Sequence, residues 1–344
     1  MRKRKLNVLL LSAVAVSLFT LNGCSRGGGG TTTTEEIATI EELQAQSSVT
    51  IRLWHSFSDN ILGPTNTIIN DFKLQYPNVN VVVEKITGGY DGLKTTLVQS
   101  LASGDIPHLA FGYPDHVAEY LNSKAVASLN PFIESTSPGV GMSQQELEDF
   151  IPGYLAEGLV FDNENYYSLP FNKSTETLVY NKTVFDQLGL DVPTTWDEVI
   201  TVSTAIKAAV TNDTIKKKVT ATNEVPFTAQ EKERMFGLTY DSASNLFITA
   251  LRQWGGTYTR QEGNTVGEHL AFNSDEARAM MTFFQNAENN NHIGLPQSVE
   301  EGALYGSTAF KNQLSFMTIG STAGINNNVP TDSVGQLRFE IAAA

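Results

Sequence analysis

Short apolar runs alternate with amphipathic stretches along most of this chain. The runs are rich in β-branched residues, as strands are, whereas the stretches between them repeat apolar residues every three or four positions, as helices do. In the first half this pattern predicts strands at residues 49–54, 79–86 and 108–112 and helices at 65–76, 90–102 and 115–121. Strands that alternate with helices predict an α/β protein with a mostly parallel, doubly wound sheet.

One segment, residues 168–199, holds a strand, two helices and their caps in quick succession. Residues 177–180 are apolar and β-branched, as a buried strand is. An amphipathic helix follows and ends at Gly189, because glycine is favoured just after a helix. Thr195 is the predicted N-cap of the next helix, with Glu198 as its capping-box partner.

The amino terminus has the pattern of an export signal with a lipid-attachment site. Residues 2–5 are all basic and residues 6–21 are nearly all apolar or small, which is typical of a signal peptide rather than of a membrane span. The signal ends in Leu-Asn-Gly-Cys, which resembles the cleavage site of bacterial lipoproteins. This predicts a signal peptide at 1–23 and a lipidated Cys24; an ordinary signal peptide with a chance cysteine is the alternative.

A flexible tether is predicted at residues 24–47. It begins with glycine and threonine runs that hold no apolar residue to bury. Residues 35–46 carry apolar residues at helical spacing, so a short helix and a disordered end are both open there. Cys24 is the only cysteine, so no disulfide within the chain is possible.

The chain is acidic, with a formal net charge of −14 over 344 residues. Residues 1–23 carry four basic residues and no acidic one, which leaves about −18 on the remainder. This balance disfavours nucleic acid and an anionic lipid surface as partners. Residues 213–233 are polar and rich in lysine, and they are expected to form a solvated insertion.

Several short motifs resemble the family 1 extracellular solute-binding proteins of bacterial ABC importers. The matching pieces are PFNKST at 170–175, LVYNK at 178–182, PTTWDEV at 193–199, Trp54-His55, Tyr90-Asp91, ASGDIP at 102–107 and residues 124–132. Within the family, the chain is most similar to the sugar and glycerol-3-phosphate binders. The resemblance covers roughly residues 49–344.

The resemblance implies a two-lobed periplasmic-binding-protein fold of the maltose-binding, type II kind, with hinge crossovers and a ligand cleft between the lobes. It places lobe 1 at residues 48–173, lobe 2 at 174–332 and a strand that returns to lobe 1 at 333–344. Family members continue beyond that strand, so a truncated product or a fragment is expected. Residues 310–318 are similar to a family strand, but Gln313 stands where the family has glycine.

The same resemblance implies a binding protein with no reaction of its own. It would capture a carbohydrate, either a sugar or an oligosaccharide, and deliver it to the membrane subunits of an ABC permease. It would act as a monomer without cofactor or metal ion. In the family the lipidated cysteine, here Cys24, carries diacylglycerol and often a further acyl chain, which would anchor the protein at the outer face of the cytoplasmic membrane.

Ligands bind beyond the carboxyl ends of strands in open α/β sheets, so loop residues there are the candidate site. These positions are Trp54, His55, Ser56, Asp59, Tyr90, Asp91, Tyr113 and Asp115. The aromatic rings would stack on the C–H faces of a sugar, while carboxylates and hydroxyls would bond its OH groups. The resemblance supports Tyr90 as a ligand contact and adds hydroxyls at Ser174, Thr175 and Ser321.

Several of these candidates have a structural alternative. Trp54 ends an apolar strand and would equally well belong to the core, and His55 would equally well bond its own loop. Asp91 would cap the helix that begins there. The hydroxyl of Ser174 would bond local backbone, and the small residues after Ser321 would simply start a helix.

Two departures from the glycerol-3-phosphate binders favour a neutral sugar. Their tryptophan pair is replaced by Asp-Ser-Ala-Ser-Asn at 241–245, and their acidic residue after the third-strand tyrosine is replaced by Pro114. Arginines, which bind phosphate groups well, are also sparse. A binder of glycerol 3-phosphate or of a glycerophosphodiester is the first alternative.

Two other classes of protein stay open. A secreted glycosidase needs two carboxylates across a site, which could come from Asp59, Asp91, Asp115 and Asp241. However, the chain has no sequence motif of a zinc protease, a serine hydrolase, a phosphate-binding loop or a CxxC pair. A surface sensor or adhesin that reuses a binding fold is the other class, because a fold does not fix a function.

Overall fold

The chain divides into two compact units, Met1–Asn172 (unit 1) and Lys173–Ala344 (unit 2). The computed structural model describes residues 39–123, 125–137, 139–159, 161, 164–261 and 268–344. The predicted signal peptide, Cys24 and the first part of the predicted tether lie outside these described residues. Within them, no helix is both long and apolar enough to cross a membrane.

Unit 1 contains a three-stranded sheet in the order β2-β1-β3, with all strands parallel. Its elements are α1 (Ile40–Ala45), β1 (Val49–His55), α2 (Asp59–Gln75), β2 (Val79–Lys85), α3 (Gly89–Ser103), β3 (Leu109–Ala110), α4 (Pro114–Asn122), α5 (Asn130–Ile133), α6 (Gln144–Glu148), α7 (Pro152–Ala156) and a 3-10 helix (Glu157–Leu159). The predicted alternation of parallel strands with helices is confirmed here.

Helices cover both faces of the unit-1 sheet. Successive side chains of a strand point to opposite faces. Ile51 and Leu53 of β1 therefore pack with Phe72 of α2, whereas Trp54 packs with Leu93 of α3 in a separate cluster. All five side chains are buried, so the sheet has a core on each side.

The predicted tether does not extend to residue 47. α1 begins with a capping box in which Thr39 and Glu42 bond each other's backbone. Leu43 of this helix is buried with Ile51 and its neighbours in the core, and Asn78 donates a hydrogen bond of 2.8 Å to the Leu43 carbonyl. Burial of Leu43 and the hydrogen bond from Asn78 therefore stabilise a helix here, which is the helical alternative of the two that the sequence left open.

α2 begins at Asp59 rather than at residue 65, where the sequence pattern placed it. The Gly-Pro pair within it suggested a loop, but Pro64 removes only one backbone donor. The first turn is closed by the amides of Ile61 and Leu62, which bond Ser58 O at 3.1 and 3.0 Å. Asp59, predicted as a loop residue, is therefore the first residue of a helix.

Unit 2 is built on a five-stranded mixed sheet in the order β10-β7-β11-β4-β12. Its elements are β4 (Glu176–Asn181), α8 (Lys182–Leu188), α9 (Trp196–Thr211), β5 (Lys217–Lys218), β6 (Glu224–Val225), α10 (Ala229–Arg234), β7 (Phe236–Tyr240), α11 (Ala243–Gln253), β8 (Thr259–Gln261), β9 (Glu268–Leu270), α12 (Asp275–Asn289), β10 (Ile293–Gly294), α13 (Pro296–Val299), α14 (Gly306–Lys311), β11 (Ser315–Ser321), a 3-10 helix (Thr322–Asn328) and β12 (Ile341–Ala343).

The last strand, β12, differs from the prediction that residues 333–344 return to lobe 1. It pairs antiparallel with β4 inside unit 2, with Ile341 opposite Asn181. Phe339 just before it is buried with Val179 and Phe310, and its ring meets that of Phe310 edge-on with centroids 5.8 Å apart. Burial of this ring and the open edge of β4 together fix the strand in the unit-2 sheet.

The helix caps predicted in the segment at residues 168–199 are confirmed. Gly189 follows α8 with a φ of 62°, the left-handed conformation that glycine adopts without strain. Thr195 caps α9, and Glu198 completes the capping box by accepting from the Thr195 backbone at 3.2 Å. These two caps set the ends of neighbouring helices, and both follow from local sequence alone.

The segment at residues 213–233 is not simply a solvated insertion. It forms the β5–β6 hairpin and most of α10, and it buries Ile215 and Phe227 in the main core of unit 2. Lys217 and Glu231 of this segment pair at 2.6 Å. The two buried apolar residues are well separated along a segment rich in lysine, so the composition of the segment did not predict their burial.

Gln313, which stands in place of the family's glycine, connects this hairpin to the sheet. Its φ is 57°, in the left-handed region where a side chain costs roughly 1–2 kcal/mol. Its buried amide compensates by clamping Lys218: Nε2 donates to Lys218 O at 2.8 Å, and Oε1 accepts from Lys218 N at 2.9 Å. These two bonds hold the hairpin against the residues that precede β11.

We expect Gln313→Ala to lower the free energy of unfolding by about 2 kcal/mol, because it leaves two partly buried backbone groups unpaired while keeping the strained φ. Gln313→Gly removes the same bonds but relieves the backbone, so it should be the milder change by about 1 kcal/mol. Urea unfolding of both variants measures the difference. Equal losses in the two variants would show that the backbone at 313 carries no strain.

Candidate functional site

The carboxyl ends of the three parallel strands in unit 1 form one edge, where the loops to α2, α3 and α4 leave the sheet. The rings of Tyr90 and Tyr113 meet at this edge with centroids 4.6 Å apart. Tyr90 lies in the first turn of α3 and Tyr113 directly precedes α4. Tyr113 is 52% exposed and Tyr90 is half-buried, so the pair presents ring surface to solvent.

Burial and negative charge surround this tyrosine pair. Burial raises the pKa of Tyr90, and the neighbouring Tyr113 adds to the shift. Burial also raises the pKa of Tyr113, and the carboxylates of Asp115 and Asp91 add to it. Both phenols therefore stay protonated at neutral pH, when each can donate and accept a hydrogen bond.

The three carboxylates predicted at this edge are all exposed. Asp91 does not cap α3, because the N-cap is Gly88 with a φ of 87°. Asp115 lies in the first turn of α4, and both acids are close enough to Tyr113 to act on it. Asp59 opens α2 instead and lies 3.9 Å from Lys85 Nζ.

Trp54 and His55 do not offer free surface at this edge. Trp54 is 5% exposed; its indole N–H donates to Glu84, and the Arg52 guanidinium lies over its ring at 5.5 Å. His55 is 2% exposed, and its Nδ1 accepts from the Phe57 amide at 3.0 Å. The core alternative for Trp54 and the loop-bonding alternative for His55 fit this geometry, and the predicted ligand contacts do not.

The loops at this edge are held by side-chain and ring contacts. Burial lowers the pKa of His55, to which Lys85 adds, so the imidazole is a neutral acceptor in its loop. Ser56 Oγ donates to Ile86 O at 3.1 Å, which ties the loops after β1 and β2 together. Phe111, after β3, lies with its ring centroid 4.5 Å from that of Phe57. The edge beside the tyrosine pair is therefore preorganised.

Unit 2 has an equivalent edge, where β7 and β11 end and the antiparallel β4 begins. Ser321 Oγ donates to Ser174 Oγ at 2.9 Å and accepts from Ala323 N at 3.2 Å. The Thr175 carbonyl accepts from the amide of Thr322 at 2.8 Å. The structure thus brings the three predicted hydroxyl residues of unit 2 together. Ser321 is also the N-cap of the 3-10 helix, which agrees with the alternative that the small residues after it start a helix.

Sequence analysis missed one acidic residue, Glu176, and one tyrosine, Tyr240, at this edge. Glu176, at the start of β4, accepts from the Tyr240 hydroxyl and from Asn245 Nδ2, the latter at 3.1 Å. Asp241 was considered only as a glycosidase carboxylate; its Oδ1 accepts from the Gly306 amide at 2.6 Å. Burial raises the pKa of Asp241, the Gly306 bond opposes that shift, and Glu176 adds to it.

The sequence contained a signal for two of these residues. Tyr240 ends an apolar strand and Asp241 directly follows it, and ligands in open α/β sheets bind beyond the carboxyl ends of strands. Glu176 lies at the same edge only because β4 runs antiparallel, which the sequence did not reveal. Among the described residues, no group of three or more His, Cys, Asp and Glu side chains is arranged to hold a metal ion.

The fold of this chain is similar to that of solved maltose-binding and related proteins. The maltose/maltodextrin-binding domain MalE of Bdellovibrio bacteriovorus superposes with a TM-score of 0.56 at 16% identity, covering 86% of this chain and 65% of that one. The ABC substrate-binding protein Lmo0181 of Listeria monocytogenes, solved with cycloalternan, gives a TM-score of 0.62 at 16% identity, covering 86% of this chain and 66% of that one. The predicted fold is confirmed.

A family model for bacterial extracellular solute-binding proteins matches residues 60–224. The matched residues include the segment at 168–199 that carries much of the resemblance seen in the sequence. The sn-glycerol-3-phosphate-binding periplasmic protein UgpB of Shigella flexneri is 25% identical over 168 residues, which are 48% of this chain and 37% of that protein. The match with the curated relatives thus spans little more than a third of their length.

Proposed function

We propose that this chain is the solute-binding component of an ABC importer and that it captures a carbohydrate. The Tyr90–Tyr113 pair carries the proposal, since it places two solvent-facing phenol rings in contact at the carboxyl edge of a parallel sheet. Aromatic faces stack on the C–H surfaces of sugar rings, and phenol hydroxyls exchange hydrogen bonds with sugar OH groups. The match of residues 60–224 to a family of solute-binding proteins supports capture rather than catalysis.

The charges at both edges favour a neutral sugar over a phosphate. Asp91 and Asp115 lie beside the tyrosine pair, and Glu176 and Asp241 lie at the edge of unit 2. Carboxylates accept hydrogen bonds from sugar hydroxyls, whereas they repel a phosphate dianion. A glycerol-3-phosphate binder is the second candidate, because the curated relatives carry that name.

Export and anchoring belong to the same proposal. The basic start, the apolar stretch and the single cysteine at 24 support secretion followed by lipid attachment at the outer face of the cytoplasmic membrane. There the protein would act as a monomer and deliver its solute to ABC permease subunits. Metabolic labelling with palmitate tests attachment at Cys24.

Replacing either tyrosine of the pair with alanine should weaken sugar binding at least tenfold, about 1.4 kcal/mol, because stacking area and a hydroxyl are both lost. The test is calorimetric titration with maltotriose, cycloalternan and sn-glycerol 3-phosphate, comparing wild type, Tyr90→Ala and Tyr113→Ala. A sugar that binds wild type and is lost in both variants supports the proposal.

Leu74→Ala is the matched control, because Leu74 is a large exposed side chain near the end of α2, where the chain approaches the opposite edge of the sheet. It should leave binding unchanged. Wild-type binding of glycerol 3-phosphate alone would replace the carbohydrate proposal with the second candidate. Sugar binding that survives both alanine substitutions would remove the tyrosine pair from the site.

A further inference from the structure

The loop before α14 carries two neighbouring side chains that are exposed although both are largely apolar. Leu304 is 72% exposed and Tyr305 is 62% exposed. Tyr305 directly precedes Gly306, whose amide bonds Asp241 at the carboxyl end of β7. The exposed ring therefore belongs to the same edge of unit 2 as the acidic and hydroxyl groups described above.

The backbone beside Tyr305 is pressed closely against the sheet. A Cβ added to Gly306 would lie 2.5 Å from the Oγ1 atoms of Thr239 and Thr318 and 2.9 Å from Asp241 Oδ1. Both threonines are buried, so only glycine allows this approach. Tyr305 is thus an exposed ring on a restrained backbone, and a backbone that is already held in place loses little conformational entropy when a ligand stacks on the ring.

Asp241 supplies a polar group beside the residue that follows Tyr305. Its Oδ1 is taken by Gly306, whereas no described residue donates a hydrogen bond to Oδ2. The carboxylate lies over β11, because a Cβ added to Gly320 would overlap Oδ2 and lie 3.0 Å from Cγ. Gly320 directly precedes Ser321, so the Asp241 carboxylate links the loop that carries Tyr305 to the end of β11 at Ser321.

We propose that Tyr305 is the stacking platform for a pyranose ring in unit 2, with Asp241 Oδ2 accepting hydrogen bonds from hydroxyls of the same ring. An apolar face beside a directed acceptor matches a pyranose, which has C–H groups on its faces and OH groups around its rim. This inference rests on the proposed carbohydrate function and assigns one sugar subsite within it, on residues that lie outside the tyrosine pair.

The test is calorimetric titration of maltotriose and cycloalternan into wild type, Tyr305→Ala, Tyr305→Phe and Leu304→Ala. We expect Tyr305→Ala to weaken binding about tenfold, and Tyr305→Phe to stay within about threefold, since phenylalanine keeps the ring. Leu304→Ala is the neighbouring exposed control and should stay within about twofold. Asp241→Asn keeps an acceptor for Gly306 but loses the charge, and we expect it to weaken binding about tenfold.

The outcomes separate this inference from the function on which it rests. Sugar binding that is equally strong in wild type and Tyr305→Ala overturns the inference alone. Equal losses in Tyr305→Phe and Tyr305→Ala, or in Leu304→Ala and Tyr305→Ala, also overturn it, because ring stacking would then not be the cause. If neither sugar binds wild type, the carbohydrate function itself fails, and the inference fails with it.

Discussion

The Gly237→Ala variant is expected to lose about 3 kcal/mol of its free energy of unfolding, because the new methyl group has no space in the core. α9 packs against β7 at this position, where Ser203 faces Gly237. A Cβ on Gly237 would overlap the side chain of Ser203 and lie 2.9 Å from its Cα, which is backbone and cannot rotate away. Ser203 is fully buried, so the helix itself would have to move.

Urea unfolding followed by circular dichroism measures this loss. Gly153→Ala is the matched control, since a Cβ there meets nothing within 4 Å, and it should be neutral or slightly stabilising in its helix. Adding Ser203→Gly to Gly237→Ala should recover part of the loss, because it removes the overlapping atoms but not the close Cα. No recovery in the double variant would place the strain elsewhere.

Phe316→Ala is expected to destabilise unit 2 by about 3–5 kcal/mol, the cost of removing a buried aromatic side chain and leaving a cavity. Phe316 lies in β11, is 0% exposed and belongs to the main core of the unit. Its ring meets that of Phe227 edge-on with centroids 6.2 Å apart. The loss should therefore also loosen the segment that Phe227 anchors.

Phe316→Leu is the control, because it keeps most of the volume and should cost less than about 1.5 kcal/mol. Hydrogen exchange distinguishes the two effects. Amides of β5 and β6 should lose protection in Phe316→Ala more than amides of β1 and β2 in unit 1. Equal loss of protection in both units would contradict the assignment of Phe316 to a core confined to unit 2.

Local sequence patterns predicted the structure correctly wherever the contacts that determine it are close in sequence. The cap at Thr195, the helix stop at Gly189 and the parallel strands of unit 1 all follow from propensity and periodicity over a few residues. The start of α2 was missed because Pro64 in the sequence suggests a loop, whereas the turn before it is closed by bonds to Ser58 that the pattern does not contain.

The candidate site was predictable only in part. The rule that ligands bind beyond the carboxyl ends of strands selected Tyr90 and Tyr113. It did not predict that the centroids of their rings would lie 4.6 Å apart. It selected Trp54 equally, although Glu84, thirty residues away, holds that indole in the core. Glu176 and Tyr305 were missed, because their place at the edge of unit 2 depends on an antiparallel strand and on a loop bonded to Asp241.

The sequence by itself determined the resemblance to solute-binding proteins, the parallel α/β plan of unit 1 and the positions where strands give way to loops. These features depend on local periodicity and on short motifs. The tertiary structure alone decided which loop side chains are buried and which are exposed at the two edges, and it placed residues 341–343 beside β4. Those outcomes depend on partners far apart in the chain, such as Phe310 with Phe339 and Asp241 with Gly306, and sequence spacing does not encode such contacts.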